Sequence, residues 1–145
     1  MLAFNKARAK FYLYNEVYLE APKKAINLPE GSPTKHQYVR LDSYVPGKEI
    51  VSRKYTQLSE VSEETAIRYL KELSDKYAPE TKIADVPSNI SGANAGIFKE
   101  NRGRTLRGQM ILEVPIQDKV VPKKVIDYAN KHYIKIRDIN GKIYN

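Results

Sequence analysis

The chain of 145 residues contains no cysteine, so disulfides and thiolate metal sites are excluded. Two histidines, His36 and His132, stand far apart, and without cysteine they make no zinc ligand set. No apolar run approaches the roughly 18–20 residues needed to span a bilayer, which predicts no membrane insertion. The opening residues, Met1 to Lys10, lack the long apolar core of a secretion signal. The stretch from Gly92 to Gly108 is glycine-rich but has no Gly-Lys-Ser/Thr, which argues against a phosphate-cradling nucleotide loop. Acidic residues are the minority: 17 against 25 lysines and arginines, a net charge of +8. A field of this sign attracts nucleic acid, anionic lipid or an acidic protein. Eleven tyrosines can fill a core or stack on bases.

The length suits one domain. Phe4, Ala7, Phe11, Tyr14 and Tyr18 recur at three-to-four spacing and predict a helix over residues 4–20, stopped by Pro22. Residues 21–37, rich in proline, read as a linker. This predicts a division into 1–37, helix and linker, and 38–145, the core. Residues 38–55 read as two alternating strands around Pro46-Gly47. Ser62 is an N-cap with Glu63 and Glu64 in the first turn, and Ile67, Leu70, Leu73 and Tyr77 mark the buried stripe of a helix. Residues 79–108 look irregular. Met110 to Ile116 is a central strand with Pro115 at its end, Pro122 opens another helix, and Ile134 to Ile139 is a strand. Asn140-Gly141 then signals a hairpin. The predicted order is α-β-β-α-β-α-β with a C-terminal β-hairpin, a single mixed-sheet α/β (α+β) domain.

Chemistry gathers at the first hairpin. Tyr38, Arg40, Asp42 and Tyr44 share one face of a regular strand, and Ile50, Ser52 and Lys54 share one face of the next. With a three-residue loop (Pro46, Gly47, Lys48), Asp42 sits opposite Ser52 and Arg40 opposite Lys54. A two-residue loop slips the register and sends Lys54 to the other side. Asp42 also has a plainer reading, as the ion-pair partner of Arg40 or Arg53.

Asp42, Ser52-Arg53-Lys54 and the helix that follows resemble the restriction-endonuclease-like nucleases, whose motif is an Asp, a spacer and an acid-x-Lys on the next strand. The resemblance implies that Asp42 binds Mg²⁺ (or Mn²⁺) and that Lys54 positions the attacking water or neutralises the phosphate. Ser52 stands where that family has its second acid, so another carboxylate must replace it. Glu16 is the first choice, with Glu20, Glu60 and Glu113 behind it. Glu16 and Glu20 are expected on the first helix.

Three stretches are similar to the C-terminal toxin domains of bacterial polymorphic toxins of the LXG, Rhs and contact-dependent-inhibition types. They are Tyr38–Lys54, Leu106–Pro115 and Ile136–Tyr144. This resemblance implies a nuclease toxin, secreted as the C-terminal part of a larger protein. It would act in the cytoplasm of a competing cell and be neutralised by an acidic cognate immunity protein. DNA is the expected substrate and RNA the second. Arg40, Arg53, Lys99, Arg102, Arg104 and Arg107 are the candidate phosphate contacts. Two alternatives remain. One is a metal-free RNase using His36 and Lys35 with Arg102, Arg104 and Thr105; the other is a basic module that binds nucleic acid without cutting it.

Overall fold

A computed structural model describes residues 2–22 and 37–145. Lys35 and His36, the centre of the RNase alternative, lie outside the described residues. The elements in order are α1 (Leu2–Ala9), β1 (Tyr14–Glu20), β2 (Tyr38–Val45), β3 (Glu49–Arg53), α2 (Glu63–Lys76), α3 (Pro87–Ile90), α4 (Ile97–Asn101), β4 (Gln109–Val114), α5 (Lys123–Lys131) and β5 (Ile134–Asp138). The five strands form one mixed sheet in the order β1-β2-β3-β4-β5. β2 is antiparallel to both neighbours, whereas β3, β4 and β5 are parallel. Strand β2 alone is therefore reversed.

The hairpin turn sets the register. Lys48 N–H donates to the Val45 carbonyl at 2.9 Å, and Gly47 has φ 75°. Proline followed by a positive-φ glycine gives a type II turn. Val45 then pairs with Glu49, Tyr44 with Ile50 and Ser43 with Val51. This is the three-residue-loop register. Gly108 is required for space: a Cβ there would lie 2.6 Å from the Lys48 carbonyl carbon, where β4 starts beside the hairpin.

Ser62 caps α2 by accepting the Thr65 N–H, and Ala66, Leu70 and Leu73 bury its inner face. On α5, Val125 and Ala129 do the same. With Ile50, Leu112, Val114, Ile134 and Ile136 they form one apolar cluster. Arg53, Glu113 and Arg137 alternate with these strand residues and project to the opposite face, where α1 supplies Asn5 and Arg8 as partners. Helices thus cover both faces of the sheet.

The first element departs from expectation. The helix ends at Ala9, and Glu16 and Glu20 stand on β1, which pairs with β2 from Tyr14↔Tyr44 to Glu20↔Tyr38. Tyr14 and Tyr18, which continue the helical spacing, do not share a buried face: Tyr14 joins the core and Tyr18 is only half-buried, and Glu16 between them is left-handed, with φ 48°. Strict alternation would send Tyr14 and Val17 to opposite faces, yet both join the core cluster. β1 changes face at Glu16. β2 does so around Asp42, since Leu41 and Tyr44 also share that core, so the regular single face expected for Tyr38 to Tyr44 is broken there.

Residues 79–108 are compact, not open. Ile83 bridges to Leu19, and Lys82 to Thr105. Buried Asn89 donates to the Tyr18 carbonyl at 3.0 Å, and Asn94 exchanges bonds with the Asn15 main chain. Side-chain amides thus cover the outer edge of β1, which would otherwise present unpaired polar groups. At the C-terminus the Asn140-Gly141 turn forms, but its return makes only an isolated bridge, Arg137↔Ile143, and no strand. The Asp138 carboxylate holds this turn by accepting the Asn140 and Lys142 N–H groups.

Candidate active site at the β2–β3 fork

Regular pairing of β2 and β3 stops at Ser43↔Val51. One residue further on, the Asp42 carboxylate enters between the strands and accepts the Arg53 main-chain N–H at 2.7 Å. Beyond that point β3 stays with β4, as Lys54 N–H donates to the Glu113 carbonyl at 3.1 Å. The strands therefore fork at Asp42.

Lys54 points from the fork toward α2. Its Nζ is 3.6 Å from Glu72 and 5.2 Å from the centre of the Tyr69 ring. Burial raises the Asp42 pKa; the Arg53 N–H and the Arg53 and Lys54 charges oppose the rise, and the negative charge of Glu72 adds to it. Tyr77 donates to the Arg40 carbonyl at 3.0 Å. Its pKa is raised by burial and by the charges of Glu72 and Asp42, with Arg40 acting against them. The Glu72 charge therefore reaches both Asp42 and Tyr77. Ser52 is buried at the fork, with 3% exposure.

A cavity of about 390 Å³ opens on the other side of Asp42. Asn5, Lys6, Ala9 and Leu13 form one wall, Asn15 and Glu16 another, with Ala93 and Asn94 at the edge. Glu16 lies across from Asp42, bracketed by the pairs Asn15↔Ser43 and Val17↔Leu41. A non-glycine residue in the left-handed region stores strain, and such residues concentrate at functional positions.

Below the fork is a buried charge network. Glu113, with no exposed side chain, accepts from Arg53 Nε at 2.7 Å, Arg8 Nε at 3.1 Å and the Tyr12 hydroxyl at 2.8 Å. The Arg53 guanidinium also donates to Asn5 at 2.9 Å and Ser43 at 2.6 Å, and lies 4.9 Å from the Tyr12 ring centre. Arg137 grips Glu49 through two bonds of 2.8 and 3.0 Å. Burial alone would raise the Glu113 pKa, but the bonds from Arg8, Arg53 and Tyr12 and the Arg53 charge outweigh it and lower it.

The fork brings together Asp42, Ser52, Lys54 and Arg40, with Glu16 across the cavity. Arg53 is placed otherwise than expected: it is 2% exposed and its guanidinium is committed to Glu113, Asn5 and Ser43, leaving it no surface to offer a phosphate. Glu113 is likewise held by arginines, Glu20 pairs with Lys82, and Glu60 lines a separate hollow with Tyr55 and Asp118. Lys99, Arg102, Arg104 and Arg107 lie toward the opposite end of the parallel strands, where Arg107 N–H bonds the Tyr44 hydroxyl and Arg104 pairs with Asp85. Four residues of β3, about 13 Å, separate that end from the fork. His132 follows α5, stacked on Tyr128 with ring centres 4.1 Å apart.

Glu72 is the site residue that sequence reasoning missed. Its one signal was position: an acid on the inner half of the helix that follows Ser52-Arg53-Lys54. Asp42 and Glu72 are hard oxygen donors of the kind Mg²⁺ takes, and a cation between them would relieve the burial and repulsion that raise the Asp42 pKa. Among the described residues no group of three or more His, Cys, Asp or Glu forms a metal cluster. Mg²⁺ commonly binds through one or two carboxylates and completes its shell with water and phosphate. No described helix is long and apolar enough to cross a membrane. Compared with protein-family models, with curated proteins and with solved structures, the chain matches none.

Proposed function

We propose that this chain is a metal-dependent phosphodiesterase of restriction-endonuclease-like architecture, acting on nucleic acid. The observation that carries the reading is the fork: a half-buried carboxylate, Asp42, between diverging strands, with Lys54 next to it and paired to Glu72. A sheet in which only the second strand is reversed, with helices on both faces, supports it.

Asp42 and Glu72 are the residues to hold Mg²⁺. Glu72 ranks above Glu16 because it both touches Lys54 and acts on Asp42, whereas Glu16 shares only the cavity. Bound there, the metal would supply Lewis-acid stabilisation of phosphate charge and a more acidic water. Lys54 donates hydrogen bonds to a non-bridging phosphate oxygen, and Glu72 holds its ammonium in place. Arg40, exposed at the rim, holds a flanking phosphate.

The biological reading is a toxin domain, secreted as the C-terminal part of a larger protein, acting in the target cytoplasm and silenced by an acidic immunity protein. The excess of basic residues supports it, since charge complementarity speeds capture by such an inhibitor. The test is incubation with plasmid DNA and total RNA, each with Mg²⁺ and with EDTA, using the wild type and Asp42→Asn. Mg²⁺-dependent cleavage that Asp42→Asn abolishes is expected. Cleavage that persists in EDTA moves the protein to the metal-free class, and binding without turnover makes it a binding module.

A further inference from the structure

Two segments beyond the carboxyl ends of β4 and β5 leave large apolar side chains in water. Val120, between β4 and α5, is 89% exposed, and Ile143, in the return after β5, is 52% exposed. The segments meet, since the Gln117 N–H donates to the Tyr144 hydroxyl at 3.1 Å. Between them lies a hollow of about 480 Å³, walled by Val120, Val121, Ile126 and Ile143 and edged by Lys119 and Lys142. Lys123 and Lys124 open α5, the helix that supplies Ile126, and its first turn holds no acid. Among the described residues, Lys119, Lys124 and Lys142 form no ion pair. The acids nearby are Asp118, on the edge of the hollow, and Asp127, held by Lys123. Large apolar side chains left in water within a rim of charges mark an interaction surface.

We infer that this groove docks an acidic protein partner, which sets an apolar side chain between Val120 and Ile143 and carboxylates against Lys119, Lys124 and Lys142. The inference gives the acidic inhibitor proposed above a surface and rests on that reading for the partner's role; the groove and its charges stand without it. Its first ground is charge. Complementary fields speed association and like fields oppose it, so an acidic surface is drawn here and a second copy of this chain, itself +8, is repelled. The second ground is shape. A small ligand confined to the hollow would leave Val120 in water at its lip, and a flat bilayer would bridge the hollow without filling it. A protein surface covers both, with an apolar anchor at its centre and a polar rim around it. The third is place. β3, β4 and β5 run parallel, and with neighbouring strands about 4.8 Å apart the end of β5 lies only about 10 Å from the end of β3 at the fork. Asp118 borders both this hollow and the one lined by Tyr55, so a docked partner stands beside the fork.

The test uses two labelled peptides, one of four Glu-Glu-Leu-Glu repeats and one with serine in place of each leucine. Anisotropy is measured with wild type, with Val120→Ser plus Ile143→Ser, and with Lys119→Glu plus Lys142→Glu. Wild type should bind the leucine peptide about 10- to 100-fold more tightly than the serine peptide, the worth of burying one leucine side chain. The double serine variant, whose changes fall on exposed side chains, should lose that preference and keep its affinity for the serine peptide. The double glutamate variant should bind both peptides more weakly. Equal wild-type affinity for the two peptides, or an undiminished leucine preference in the folded double serine variant, overturns the inference. Sedimentation with phosphatidylglycerol vesicles is the companion measurement: vesicle binding that needs Val120 and Ile143, without a leucine preference, overturns it in favour of a membrane. Leucine-dependent binding in a protein that cuts nothing with Mg²⁺ upholds the surface and refutes the hydrolase alone; cleavage without leucine-dependent binding does the reverse.

Discussion

Replacing Glu113 by glutamine tests what holds α1 onto the sheet. The change is isosteric and removes one negative charge from a side chain with no exposure. Arg53, equally buried, then has no counter-ion within bonding distance, and Arg8 on α1 loses its anchor. A buried ion pair is weak evidence of net stability, because desolvation offsets attraction, but removing one partner leaves the full penalty of the other. That penalty is about 3–5 kcal/mol, against a total of about 5–15 kcal/mol for a domain. At about 2–4 °C per kcal/mol for a chain near this size, melting should fall by roughly 6–20 °C. The sign of the pH dependence follows from the lowered pKa of Glu113. Its contribution is fully present above the unfolded glutamate value and is lost as pH falls through the lower folded value. Glu113→Gln should therefore flatten the acid limb of the stability curve as well as lower its plateau. Urea titrations followed by circular dichroism across the acid range read both. A variant within about 1 kcal/mol of wild type, with an unchanged acid limb, would refute the reasoning.

Asp42 should behave oppositely, because its folded pKa is raised. Its charge costs stability once pH rises through the unfolded value, so Asp42→Asn should melt no lower than wild type at neutral pH while losing cleavage; a lower melting point would contradict this. Mg²⁺ should raise the melting temperature of wild type by mass action and fail to do so in Asp42→Asn or Glu72→Gln. A normal Mg²⁺ shift in Glu72→Gln, with none in Glu16→Gln, would return the second carboxylate to Glu16. Replacing Arg102, Arg104 and Arg107 should reduce the salt dependence of nucleic-acid binding by about 0.7–0.9 in log–log slope per lost phosphate contact. It should leave cleavage at saturating substrate unchanged, since that loop lies away from the fork; a fall in that rate would place the loop at the chemistry.

Features set by neighbouring residues were readable in the chain. Pro46-Gly47 favours a type II turn, although the loop length, and with it the register at Asp42, stayed open between two values until the strands were paired. Ser62 with Glu63 and Glu64 starts α2 through a bond three residues long, and Pro115 ends β4 because proline has no N–H to continue a ladder. These energies are local, and the amino-acid order determines them.

What depended on distant partners was not readable. β1 looked helical because Tyr14 and Tyr18 continue the three-to-four spacing of Phe4, Ala7 and Phe11; the reversal at Glu16, which brings Tyr14 and Val17 to one core, makes sense only once β2 lies alongside. Arg53 looked like a surface cation, but its guanidinium is neutralised by Glu113, sixty positions away in sequence. Glu72 has no motif of its own and gains a role because α2 lies back across the fork, setting it 3.6 Å from Lys54. Short-range sterics and hydrogen bonds belong to the sequence. Which charges are buried and paired is decided by the packing of elements far apart along it, because a charge's energy depends on the dielectric and counter-ions that only the assembled fold provides.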